Sequence, residues 1–102
     1  MTGENKKRFR RWFKDLHPTL VNVFDSYPPE MQEGVIIAYY DSLDLVITIE
    51  VNLNYTYPFA WKLIYDYDYE SDIFYPTRQE ANTEAFKQAD ILMNEQLNKY
   101  NG

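Results

Sequence analysis

The chain has 102 residues, no cysteine, a net charge of −6 and an aromatic content of 18%. This length favours one domain spanning residues 1–102, and the aromatic content argues against a disordered chain. The absence of cysteine excludes disulfides and thiolate metal sites. The sequence contains neither a signal-like apolar segment after its basic start nor an apolar run of about 20 residues, so a cytoplasmic protein without a membrane span is expected.

The charge is distributed unevenly along the chain. Residues 1–14 contain six Lys or Arg and one Glu, whereas the remaining residues contain four Lys or Arg and fifteen acids. This polarity predicts a basic N-terminal region and an acidic body, each of which is a candidate surface for a partner of opposite charge.

The N-terminal third predicts helices. Residues 1–5 are expected to be frayed. Over residues 6–16 the apolar side chains recur at i, i+3, i+4 and i+7, which is typical of one helical face. Pro18 ends this helix, because the residue before a proline avoids the helical region. A second short helix is predicted over residues 19–26.

A turn is predicted over residues 30–34, before the first strand. The continuous apolar run over residues 35–40 is rich in β-branched and aromatic side chains and is predicted to be that strand. Its register against the next strand stays open, since a slip of one residue would exchange its two faces.

The clearest pattern is an alternation of apolar odd-numbered and mostly polar even-numbered residues over residues 43–53 and again over residues 59–70. This two-residue period predicts two strands with one apolar face. Residues 54–58 end in a proline and suit the loop of a hairpin. Pairing of Leu53 with Phe59 would place both apolar rows on one face and the carboxylates on the other.

The C-terminal region predicts a strand end followed by a long helix. Residues 73–75 are expected to add a short fourth strand. Thr77 and Glu80 form a T-x-x-E capping box, after which apolar residues continue at helical spacing. We therefore expect a helix over about residues 78–98 that covers the apolar sheet face.

These elements together predict an α+β fold. Its order is an N-terminal helix, a second short helix, a three- to four-stranded antiparallel β-meander and a long C-terminal helix packed on one sheet face.

The segment Ile73-Phe74-Tyr75-Pro76-Thr77-Arg78-Gln79-Glu80-Ala81 resembles the ending of many small uncharacterised proteins of bacteriophages and mobile elements. In those proteins a strand end is followed by a T-R-x-E-A helix start. The resemblance implies a β-meander with a C-terminal helix and a mobile-element origin. It implies no activity.

Catalytic and metal-binding motifs are lacking in the sequence. His17 is the single histidine and is explained by the end of the first helix, and the three glycines are too scattered for a phosphate-binding loop. The D-x-D-x-E-x-D run over residues 66–72 lacks the glycine turn and distal glutamate of a calcium loop. We expect no enzyme, no cofactor and no metal; an aromatic pocket for a small molecule stays open.

The leading hypothesis is a non-catalytic protein-interaction module that presents an acidic, tyrosine-rich sheet face to a basic partner, such as a protein that binds nucleic acid. The alternative that these acids only confer solubility stays open. The carboxylates proposed for this face are Asp44, Glu50, Asp66, Asp68 and Glu70.

The second hypothesis is binding of nucleic acid or an anionic surface through the basic N-terminal helix. Its aromatic residues have the spacing of a packed helix face and are expected to belong to the core. A homo-oligomer stays open as well, through an exposed edge strand or the half-polar face of the sheet. The basic residues proposed for this helix are Lys7, Arg8, Arg10, Arg11 and Lys14.

Overall fold

The computed structural model describes residues 1–101 and shows an α+β fold. Its elements are α1 Gly3–Leu16, a 3₁₀ helix Val21–Ser26, α2 Pro29–Ser42, β1 Val46–Val51, β2 Phe59–Tyr65, β3 Tyr67–Glu70 and α3 Arg78–Asn101. The predicted fold class, the antiparallel sheet and the long C-terminal helix are confirmed. The second short helix predicted over residues 19–26 is a shorter 3₁₀ helix.

The sheet is antiparallel and has the order β1-β2-β3, which is a meander. Ile49 pairs with Trp61 and Val51 with Phe59, so odd-numbered residues oppose odd-numbered residues as predicted. Leu53 does not pair with Phe59; it lies in the loop and is 84% exposed. The register therefore differs from the predicted one by two residues, and such a shift keeps every side chain on the same face.

The single strand predicted over residues 59–69 is two strands. Tyr65 pairs with Tyr67, so the chain reverses at Asp66, whose φ of 57° lies in the left-handed region that aspartate tolerates better than most residues. The fourth strand predicted over residues 73–75 is reduced to one bridge between Tyr75 and Phe59. Within the described residues the sheet therefore has three strands.

The turn predicted over residues 30–34 and the strand predicted over residues 35–40 are both wrong. These residues form most of α2, which has Pro29 as its first residue, where the missing N–H costs nothing. The side chains of Tyr39 and Tyr40 are fully buried in the core. An apolar run of this length can belong to a strand or to a buried helix. Here it forms a helix that packs Tyr39 and Tyr40 into the core.

The core lies between the odd-numbered face of the sheet and α3. Ala81, Ala85 and Ala89 are fully buried on α3, and their small side chains let the helix backbone lie close to β2. Trp61 and Leu63 on β2 supply the large side chains of this layer. The prediction that the C-terminal helix covers the apolar face is confirmed.

Candidate interaction surfaces

The even-numbered face of the sheet is largely open to solvent, and Ala60 on β2, at 7% exposed, is the one buried residue among its members. Val46 on β1 pairs with Ile64 on β2, and the side chains of this pair are 42% and 39% exposed. On the opposite face Leu63, the neighbour of Ile64, is 1% exposed beneath α3. The sheet thus has one covered face and one face available for contact; we call the latter, formed by the even-numbered residues of β1, β2 and β3, the open face.

Three of the five predicted carboxylates lie on the open face and surround a lysine. The Nζ atom of Lys62 lies 3.3 Å from Asp68 Oδ2 and 3.6 Å from Glu70 Oε1. The hydrogen bond to Asp68 raises the pKa of Lys62, and the charges of Asp68, Glu70 and Glu50 add to this effect. Sequence reasoning missed the role of Lys62, although its even number placed it on this face.

The other two predicted carboxylates lie in turns and not on a strand. Asp44 has a φ of 60° between α2 and β1, and Asp66 has a φ of 57° between β2 and β3. Aspartate is among the residues that tolerate this backbone conformation, so local geometry accounts for both side chains. Each lies two residues from the Val46–Ile64 pair in sequence, which places both at one end of the open face.

The solvent side of α1 is strongly basic. Phe9 and Phe13 on its other side are buried, as expected of core residues. Among the described residues, one ion pair involves this basic set, between Lys7 Nζ and Glu4 Oε1 at 3.2 Å. Most of the positive charge is therefore not neutralised within the part of the chain that the structure describes. The exposed members of the set are Lys7, Arg8, Arg10, Arg11 and Lys14.

A buried polar cluster connects α1 with α2 and α3, and its centre is Asn5, whose exposed fraction is 0%. The side-chain amide of Asn5 donates hydrogen bonds to Asp90 Oδ1 at 2.8 Å and to the hydroxyl of Tyr40 at 3.0 Å. Its carbonyl oxygen accepts one from the hydroxyl of Tyr39 at 2.7 Å. Because each of these groups has a partner inside the protein, the cluster has a structural role.

The same cluster holds the beginning of the chain in place. The backbone N–H and the hydroxyl of Thr2 donate hydrogen bonds to Asp90 at 3.1 and 2.8 Å. Asn94 accepts a hydrogen bond from the backbone N–H of Asn5 and donates one to the carbonyl of Thr2. The prediction that residues 1–5 are frayed is therefore wrong; the sequence offered no signal for this, since a polar residue near a chain end is ordinarily solvated.

The protonation states in the cluster follow from burial and hydrogen bonding. Burial by itself would raise the pKa of Asp90, but hydrogen bonds from Asn5 and Thr2 outweigh burial and lower it. Burial raises the pKa of Tyr39 to about 12 and also raises the pKa of Tyr40. At neutral pH the cluster therefore contains one carboxylate and two protonated hydroxyls.

Residues 1–101 contain neither a metal-ligand cluster nor a membrane-spanning helix. No group of three or more His, Cys, Asp or Glu side chains is arranged there to hold a metal ion. None of the helices in that range has the length and apolarity needed to cross a bilayer.

Comparison with known proteins does not assign the chain to a family. Scans against family models, curated proteins and solved structures found no match. The resemblance of residues 73–81 to phage and mobile-element proteins stays a prediction.

Proposed function

We propose that this chain is a non-catalytic interaction protein whose open face binds a basic segment of a partner protein. The observation that carries the proposal is the combination of an exposed apolar pair, Val46 and Ile64, with a neighbouring cluster of carboxylates on a regular sheet. Protein interfaces commonly combine an apolar centre with a polar rim.

The charge of the open face favours a basic partner. Three carboxylates, from Glu50, Asp68 and Glu70, surround the single ammonium group of Lys62, so a negative charge remains after pairing. Asp44 and Asp66 add two carboxylates at one end of the face. Such a surface steers a cationic partner towards it and loses that effect as salt increases.

The dimensions of the open face suit a narrow partner. The six residues of β1 span about 20 Å, and three strands place the outer two about 10 Å apart. This area is smaller than that of a standard protein–protein interface. It matches one extended segment or one helix, and binding is therefore expected to be weak and reversible.

The proposal is tested with fluorescently labelled decalysine as a basic probe, followed by anisotropy at low salt. Replacing both Asp68→Asn and Glu70→Gln should raise the dissociation constant by about tenfold, because Lys62 then offsets Glu50, the one carboxylate left on the strands of this face. Lys62→Met should instead lower the dissociation constant, since it removes the only lysine on the face.

The matched control changes two exposed acids outside the sheet, Asp15→Asn and Glu95→Gln, and alters the net charge by the same amount. This control should change the dissociation constant by less than about twofold. An equal loss of binding in the control would show that decalysine responds to net charge alone, and no gain with Lys62→Met would show that decalysine does not bind beside Lys62. Either result would refute the proposal.

The exposed cations of α1 support a second candidate function, which is binding of nucleic acid. Since Phe9 and Phe13 are buried, bases cannot stack on them, and contacts would involve phosphates without sequence preference. The net charge of −6 opposes a polyanion at long range, so we expect weak binding that is confined to low salt.

A titration of labelled duplex DNA at about 50 mM and about 200 mM salt tests this candidate. Binding at the lower salt should fall steeply at the higher salt and should be weakened by Arg10→Ala with Arg11→Ala. Absence of binding at the lower salt would eliminate it.

A further inference from the structure

A cavity of about 300 Å³ lies between α1, the 3₁₀ helix and α2. It is separate from the open face, because none of its lining residues belongs to the sheet and α1 packs against α3 and α2. Its volume is at the lower end of the range for pockets that bind small molecules. Neither the open face nor the buried polar cluster uses this cavity. Its principal lining residues are Lys6, Phe9, Arg10, Phe13, Phe24 and Gln32.

One part of the cavity wall is aromatic and closely packed. The ring of Phe24 meets Phe9 edge-to-face at a centroid distance of 5.1 Å and Phe13 at 5.6 Å. Phe9 and Phe13 are stacked at 6.1 Å with an angle of 7° between the rings. Phe24 is the half-buried ring of the three, and the buried rings of Phe9 and Phe13 behind it fix its position, so a flat apolar body can lie against Phe24.

Another part of the wall is cationic. Lys6 and Arg10 are one turn apart on α1, both line the cavity and both are exposed. Neither forms an ion pair within the described residues, where the pairs involve Lys7 and Lys62. Two free cations next to an apolar wall are suited to one anionic group.

The remaining polar groups limit the ligand further. Gln32 donates its amide N–H groups to the carbonyls of Asp25 and Tyr27 at 3.3 and 3.0 Å, which anchors α2 to the end of the 3₁₀ helix. The carboxylate-bearing residue Asp25 also lines the cavity and disfavours a second anionic group on the ligand.

From this arrangement we propose that the cavity is a binding site for a small aromatic monoanion. The aromatic body lies against Phe24, which Phe9 and Phe13 support from behind, and its carboxylate or sulfonate group pairs with Lys6 and Arg10. This site is independent of the open face, so either proposal can fail without the other.

The test uses 1-anilinonaphthalene-8-sulfonate, whose fluorescence rises in an apolar site, titrated into the folded protein. We expect saturable binding at one site per chain. Lys6→Ala with Arg10→Ala should raise the dissociation constant by at least about tenfold. The matched control is Lys7→Ala with Arg11→Ala, which makes the same charge change at the same spacing on α1 but outside the cavity. This control should change the dissociation constant of the probe by less than about twofold.

A competition experiment tests the need for an anion without any mutation. Indole-3-propionate should displace the probe, whereas the neutral indole-3-propanamide should be at least about tenfold weaker. The proposal is overturned by non-saturable binding, by equal effects of the two double variants, or by equal competition from the acid and the amide.

Discussion

Replacing Asn5 with alanine is expected to lower the free energy of unfolding by about 3 kcal/mol, because the change leaves buried polar groups without partners. Asn5 is fully buried, and its side chain bonds to Asp90, Tyr39 and Tyr40. Urea denaturation followed by circular dichroism measures the loss directly.

The matched control for this variant is Asn98→Ala, which removes an exposed amide from α3 and should change the free energy by less than about 0.5 kcal/mol. Similar losses in Asn5→Ala and Asn98→Ala would contradict the structural role of the cluster.

The pH dependence gives a second readout of the same variant. Burial raises the pKa of Asp90, but hydrogen bonds from Asn5 and Thr2 outweigh it and hold the pKa below the ordinary 3.8. The carboxylate therefore adds stability above that pH, which is lost as the pH falls through the lower folded-state pKa. Asn5→Ala removes one hydrogen-bond donor to Asp90. The difference in unfolding free energy between the unchanged protein and Asn5→Ala should therefore become smaller as the pH falls through the folded-state pKa of Asp90.

Replacing Leu63 with alanine is expected to cost about 2–5 kcal/mol of unfolding free energy, the range for a buried leucine whose cavity cannot collapse fully. Leu63 is 1% exposed and lies in the core between β2 and α3. Leu53→Ala is the natural control, because Leu53 is also odd-numbered and belongs to the same alternating pattern, yet it is 84% exposed. It should cost less than about 0.5 kcal/mol.

This leucine pair distinguishes the observed register from the one that pairs Leu53 with Phe59. In the observed register β1 ends at Val51, and Leu53 lies in the loop. A cost above about 2 kcal/mol for Leu53→Ala would mean that the apolar row extends further than the structure shows.

The faces of the sheet could be predicted from the sequence because they depend only on the two-residue period. A shift of the register by two residues, from Leu53 to Val51 opposite Phe59, leaves every face unchanged. The break at Asp66 could not be read from the alternation, since that residue continues the pattern while adopting a φ of 57°. A strand of about eleven residues is nevertheless longer than most, which was a reason to expect a turn within it.

The wrong prediction of a strand over residues 35–40, which belong to α2, has a different cause. The run over residues 35–40 is apolar on all sides, and periodicity cannot distinguish a buried strand from a buried helix. Two signals favoured the helix, namely Pro29 at the first helical position and Glu30 in the first turn. Apolar residues of this segment also recur four positions apart, as expected of a helix: Val35 with Tyr39, and Ile36 with Tyr40.

The candidate site was only partly predictable for a physical reason. The side on which Glu50, Asp68 and Glu70 lie follows from parity, but the ion pairs of Asp68 and Glu70 with Lys62 depend on which strands are neighbours. The burial of Asn5 depends on contacts with residues about 85 positions later, which no local pattern encodes.

The central claim, that the open face is the binding surface, is tested most directly by mapping amide chemical shifts of the labelled protein during titration with unlabelled decalysine. We expect the largest changes on the three strands, at Lys62, Ile64, Asp68 and Glu70, and little change on α1. Changes spread evenly over exposed acids such as Asp15 and Glu95, with none concentrated on the sheet, would contradict the claim.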